Sequence, residues 1–110
     1  MKMVVAYVDP DRFEEIREGL LELGFLSISV LNASGSTPQA TVTGSYRGAK
    51  LERHLRPKTR IEAVVADDAV PTVVETIVKL GGEHTFVVVQ PVDEAHPAEL
   101  VKSLEVAATA

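Results

Sequence analysis

Cationic chemistry is concentrated in one short stretch of this chain. Between Tyr46 and Arg60 lie Arg47, Lys50, Arg53, Arg56, Lys58 and Arg60, against the single acid Glu52. These six of the eleven basic residues give the segment a charge of +5, so the net charge of −5 leaves −10 on the rest of the chain. Guanidinium and ammonium groups form short, charge-assisted bonds to carboxylates and phosphates. A basic segment on an acidic body points to an anionic ligand or partner. The plainer reading is a pair of loop arms whose cations spread into water.

Other groups that could do chemistry have structural readings. Asp67-Asp68 could work as paired carboxylates, but the capping of a helix that begins there is the stronger reading. His54, His84 and His96 lack metal-ligand spacing, and no cysteine joins them, so no metal site is assigned. The absence of cysteine excludes disulfides, thiolate sites and Cys nucleophiles. No Gly-x-Ser-x-Gly, P-loop or dinucleotide fingerprint is present. No catalytic residue is assigned, and the chain reads as a non-enzyme. Few aromatics, three Phe and two Tyr, and the net negative charge argue against nucleic-acid binding.

The elements that must position these groups follow from periodicity. Val4 to Gly24 lines up with Ile61 to Gly81 at a constant offset, matching Ala6 with Ala63, Val8 with Val65, Asp11 with Asp68 and Glu18 with Glu75. Each half reads strand, helix, strand. The first helix has Asp9 as its cap, Pro10 at its first position and acids at Asp11, Glu14 and Glu15 near the positive end of the macrodipole. Its apolar stripe is Phe13, Ile16, Leu20 and Leu23, and Gly24 ends it. The second helix starts near Asp67-Asp68, tolerates Pro71, stripes Val70, Val73, Val74 and Ile77, and ends at Gly81-Gly82. The second strand of each half is expected at Leu26–Leu31 and Thr85–Gln90. The result is α+β: a ferredoxin-like βαββαβ fold, with an antiparallel four-stranded sheet and two helices on one face. The whole chain, 1–110, is expected to be one domain, and a core of this size would gain burial from oligomerisation. The uncovered sheet face needs a partner, and subunit packing is the obvious one.

Two segments stand apart. Asn32 to Ser45 has one sizeable aliphatic residue, Val42, and no charge, so it reads as a mobile loop. After Pro91 the tail changes character, and Pro97 could open a short helix carrying Leu100, Val101 and Leu104. No apolar run is long enough to span a membrane. The N-terminus enters Val4–Val8 directly, so no signal peptide is expected and the expected location is cytoplasmic.

The run Tyr46-Arg47-Gly48-Ala49, then Leu55-x-Pro57-Lys58-x-x-Ile61-Glu62-x-Val64-Val65-x-Asp67-Asp68-x-Val70, resembles the PII family of trimeric signalling proteins. Met1-Lys2, Pro10, Arg17-Glu18, Leu20, Gly24, Val30 and Gly35 continue the resemblance upstream. It breaks after Lys79. A glycine-rich phosphate loop is expected there, but the chain runs through Gly81-Gly82-Glu83-His84 into the last strand. No arginine follows Arg60, so the arginines that a PII C-terminus directs at nucleotide are missing too.

The resemblance implies a homotrimer with ligand clefts between subunits. It makes residues 33–50 the protruding T-loop, which engages a partner protein, a transporter or an enzyme, and 91–110 a divergent tail. Gln39 and Lys58 fall where PII proteins contact metal and 2-oxoglutarate. Ser29, Gly35, Glu62 and Val64 match the adenine and ribose side of the cleft, and His84 sits in the shortened loop facing it. Arg47 joins Lys58 in the basic arm. Leu51 replaces the tyrosine that many PII proteins carry for uridylylation, so that modification has no hydroxyl to act on. The implied function is sensing of a small anionic metabolite, with adenine nucleotides as candidates and ATP with 2-oxoglutarate expected to bind weakly. Two rivals are a ligand-independent trimeric interaction module and a small ferredoxin-like enzyme.

Overall fold

The computed structural model describes residues 1–25, 28–36 and 55–101. Strand β1 spans Lys2–Val8 and helix α1 spans Phe13–Glu22. Strand β2 is Ser29–Gly35, β3 is Arg56–Val65, helix α2 is Val70–Gly81 and β4 is Phe86–Pro91. The sheet order is β2-β3-β1-β4, with every neighbouring pair antiparallel. This is the expected ferredoxin-like α+β arrangement.

Strand alternation divides the sheet into two faces. Val4, Ala6 and Val8 of β1 lie opposite Ala63, Ile61 and Thr59 of β3. Val4, Ala6, Val8, Ile61, Ala63 and Val65 form one buried cluster with Ile16 and Leu20 of α1 and Val73 and Ile77 of α2. Phe13, Leu23, Val70 and Val74 pack at its margin, so both predicted helix stripes face the core. The other face carries Met3, Val5 and Tyr7 with their cross-strand neighbours, and neither helix covers it.

Local chemistry explains how α1 ends. The Phe25 N–H donates to the Leu20 carbonyl and the Gly24 N–H to the Leu21 carbonyl, each at 2.9 Å. This paired closure needs a left-handed residue, and Gly24 supplies it at φ 92°. The helix starts differ from expectation. A 3-10 turn at Pro10–Arg12 precedes α1, and Asp9 makes no side-chain capping bond there. A second 3-10 turn, Asp67–Ala69, precedes α2 with Ala66 in the cap position and no side-chain cap. None of the three carboxylates read as caps, Asp9, Asp67 and Asp68, makes a side-chain capping bond: Asp67 pairs with the Met1 amine at 2.9 Å, and Asp9 belongs to the site below.

Strand boundaries also shift. The second strand is Ser29–Gly35 rather than Leu26–Leu31, with Leu26 and Ser27 outside the described residues. Asn32–Gly35, read as the start of a loop, pair with Thr59 back to Arg56. The ladder uses backbone groups alone, so the small polar side chains of Asn32 and Ser34 stay exposed without opposing it. The last strand begins at Phe86, one residue later than expected, because Gly82 to Thr85 form the turn. In the tail, Pro97 caps a 3-10 turn over Ala98–Leu100; Leu104 lies outside the described residues.

The α2–β4 corner is tightly packed. A Cβ on Gly81 would lie 2.1 Å from Thr85 Oγ1 and 3.2 Å from Thr85 Cβ, so rotating Thr85 would not clear the second contact. Gly81→Ala is expected to destabilise the fold by about 1–3 kcal/mol despite the better helix propensity of alanine. Urea denaturation of the two proteins checks this, and an unchanged or raised midpoint would contradict it.

Candidate functional site

Register brings the titratable groups of the open face together. Tyr7 lies opposite Arg60 of β3 on one side and Phe86 of β4 on the other. Two residues further, Asp9 comes between Lys58 and His84. Lys58 Nζ donates to Asp9 Oδ1 at 3.0 Å, and His84 Nδ1 lies 3.2 Å from Asp9 Oδ2. One carboxylate thus bridges the start of β3 and the turn between α2 and β4. Burial on its own would raise the Asp9 carboxyl, but hydrogen bonds from Lys58 and His84, with their charges, outweigh it and hold it below its ordinary value of 3.8.

The next row is a second polar cluster. Arg60 Nε donates to Glu62 Oε2 at 2.8 Å and Arg60 Nη1 donates to the Tyr7 hydroxyl at 2.6 Å. The guanidinium carbon stands 5.4 Å from the Tyr7 ring centroid, within cation–π range, and the Tyr7 and Phe86 rings are 6.4 Å apart. Arg60 is therefore engaged within the sheet.

A groove of about 210 Å³ lies further along the sheet. Met3, Ser29, Glu62 and Val64 line its sheet side, and His96, Pro97, Leu100 and Val101 of the tail line the other. Three of the expected cleft residues, Ser29, Glu62 and Val64, thus share one groove. Gly35 and Lys58 are together at the far end of the β2–β3 pair, where a Cβ on Gly35 would lie 3.7 Å from Lys58 Cγ. Gln39 and Arg47 lie outside the described residues, as do Lys50, Leu51 and Arg53. Gly82–Thr85 makes the whole connection between α2 and β4, with Gly82 at φ +85° and the Arg12 guanidinium alongside it. A four-residue turn has no room for a glycine-rich phosphate cradle.

Sequence reasoning missed Asp9 as a site residue and read it only as a cap. The signal was present in the register: once β1 is flanked by β3 and β4, position 9 falls between 58 and 84. The tail's contribution to the groove had no comparable signal. Among the described residues there is no acidic–histidine cluster fit to hold a metal ion, and no helix long and apolar enough to cross a membrane.

The site thus joins the antiparallel βαββαβ sheet to a polar cluster at the end of β1, the start of β3 and the turn before β4. The family model described as "Nitrogen regulatory protein P-II" matches residues 1–98. The chain is 44% identical over 79 residues to "Nitrogen regulatory protein P-II 2" of Methanothermobacter thermautotrophicus, covering 72% of this chain and 69% of that protein. It is 38% identical over 79 residues to "Nitrogen regulatory protein P-II 1" of Escherichia coli K12, covering 72% and 70%. The protein of Klebsiella oxytoca named "Nitrogen regulatory protein P-II" matches at 38% over the same length. The chain belongs to the nitrogen regulatory protein P-II family, whose members are regulators and not enzymes.

The Asp9 bridge makes a stability prediction. Lys58 is only 4% exposed, so Asp9→Asn leaves a buried ammonium without its counter-charge. Breaking such a pair costs about 3 kcal/mol, the low end of the buried range, because Asp9 itself keeps some water contact. The folded carboxyl is more acidic than the unfolded one, so its stabilisation is complete above the ordinary aspartate value and lost as pH falls through the folded value. Wild type and Asp9→Asn are therefore expected to differ fully at neutral pH and to converge in the acid range. Denaturation curves at pH 7 and at pH values stepped down through the carboxylate range measure this. A constant gap, or one that widens on acidification, would contradict it.

Proposed function

We propose that this P-II family protein is a homotrimeric sensor of a small anionic metabolite, bound in clefts between subunits, and that it switches a partner protein through the segment 33–50. An adenine nucleotide with fewer phosphates than ATP is the leading ligand. The partner is a transporter or an enzyme. The observation that carries the ligand reading is the convergence of Ser29, Glu62 and Val64 on one groove. That groove offers apolar walls for a flat base and a hydroxyl and a carboxylate for polar contacts. Lys58, Arg47 and Gln39 are assigned to the anionic end, and Gly35 to the adenine and ribose side. Trimerisation is supported by the open sheet face, where Phe86 is 60% and Leu31 46% exposed. Acting in the cytoplasm fits the role.

A second reading is favoured by the state of Lys58. Its ammonium is already neutralised by Asp9, and the turn Gly82–Thr85 replaces a phosphate loop. A ligand-independent interaction module would have both features.

Titration calorimetry with ATP, ADP, AMP, cyclic nucleotides and bicarbonate, with and without 2-oxoglutarate, separates the two. A nucleotide of one or two phosphates is expected to bind best. Two lost charge-assisted bonds, at about 1.5–3 kcal/mol each, weaken ATP by roughly a hundredfold or more. Submicromolar ATP binding would contradict this account. Heat from none of these ligands would establish the ligand-independent reading instead.

A further inference from the structure

We propose that Asp9 is a built-in competitor for the anion site at Lys58 and thereby sets its charge specificity: the site admits a phosphate-class dianion and rejects monoanions. The inference rests on the reading of Lys58 as an anion contact, and it adds the rule by which that contact selects.

The Lys58 side chain is 3% exposed and the Asp9 side chain 29%. Asp9 is the solvent-facing partner, so an incoming anion reaches Nζ by taking the place of the carboxylate. Asp9 gives up a 3.0 Å bond to Lys58 and a 3.2 Å contact with His84 when it leaves. A monoanion such as acetate offers one carboxylate for another. It gains nothing in charge over the bond it replaces. A phosphate monoester has three terminal oxygens and, near neutral pH, most of a second charge. It can accept from Lys58 and His84 together and bring extra charge to a buried cation, where ion pairing is strongest.

The surrounding charges set the balance. Glu83 Oε2 is 3.7 Å from His84 Nε2 and disfavours any anion that approaches from the turn. The Arg12 guanidinium lies beside Gly82 and favours one, although it also pairs with Glu15 at 3.2 Å. Arg56 and Arg60 share this face of β3 with Lys58: Arg60 is held by Glu62 at 2.8 Å, and the exposed Arg56 favours an approaching anion. Removing the Asp9 charge should therefore open the site to monoanions, because Lys58 is then left without an internal occupant.

The test is thermal melting of wild type and Asp9→Asn at matched ionic strength with inorganic phosphate, AMP, acetate and bicarbonate. The His84 ring signals of the wild type are followed by NMR through the same titrations. Phosphate and AMP are expected to raise the wild-type melting temperature by roughly 4–8 °C at about five times the dissociation constant, and to move the His84 signals over the same concentration range. Acetate and bicarbonate should do neither in wild type and should stabilise Asp9→Asn. If Asp9→Asn does not fold, the wild-type contrast between phosphate and acetate at His84 still decides. Equal stabilisation of wild type by both anion classes would overturn the specificity rule while leaving Lys58 an anion site. Phosphate binding that leaves the His84 signals unmoved would overturn it too. If neither phosphate nor AMP affects either protein, the anion reading of Lys58 falls and this inference with it.

Discussion

Strand β1 is hydrogen-bonded on both edges, to β3 and to β4, and the helices cover only one of the faces it shares with them. Every open-face residue of β1 therefore has two cross-strand neighbours at close range. Tyr7 receives Arg60 and Phe86. Asp9, just past the strand end, receives Lys58 and His84. The alternation that sends Val4, Ala6 and Val8 into the core sends these groups the other way. The chemistry of the face is thus fixed by the same register that builds the core, and a one-residue slip would exchange the two.

Electrostatics decides what happens at the end of that row. A lysine almost fully removed from water needs a counter-charge nearby, since its desolvation cost would otherwise exceed anything the fold recovers by burying it. Asp9 supplies the charge, and its second oxygen draws in His84. One carboxylate consequently joins three separate parts of the chain: the end of β1, the start of β3, and the turn that stands where a phosphate loop is expected.

Much of this architecture was legible in the sequence. The offset repeat from Val4 to Gly24 and Ile61 to Gly81 gives the two βαβ halves, and the stripes of Ile16, Leu20, Val73 and Ile77 fall in the core as their spacing requires. Gly24 ends its helix with the predicted left-handed residue. What periodicity does not reveal is pairing without side-chain signature. Asn32–Gly35 join a ladder through backbone bonds alone, so their polar composition read as loop. Asp9 beside Pro10 has the chemistry of a helix cap, yet a long-range partner takes it. Ser29, Glu62 and Val64 were assigned by resemblance and do share a groove, but the tail residues Pro97 and Leu100 that complete it follow from tertiary packing.

The open face is the remaining constraint. Phe86 is 60% and Leu31 46% exposed there, and neither helix covers them. Other copies of the chain can do so. Sedimentation equilibrium of the purified protein at micromolar concentration tests this most directly. The account predicts a single species with the mass of three chains. A stable monomer across that range would contradict it.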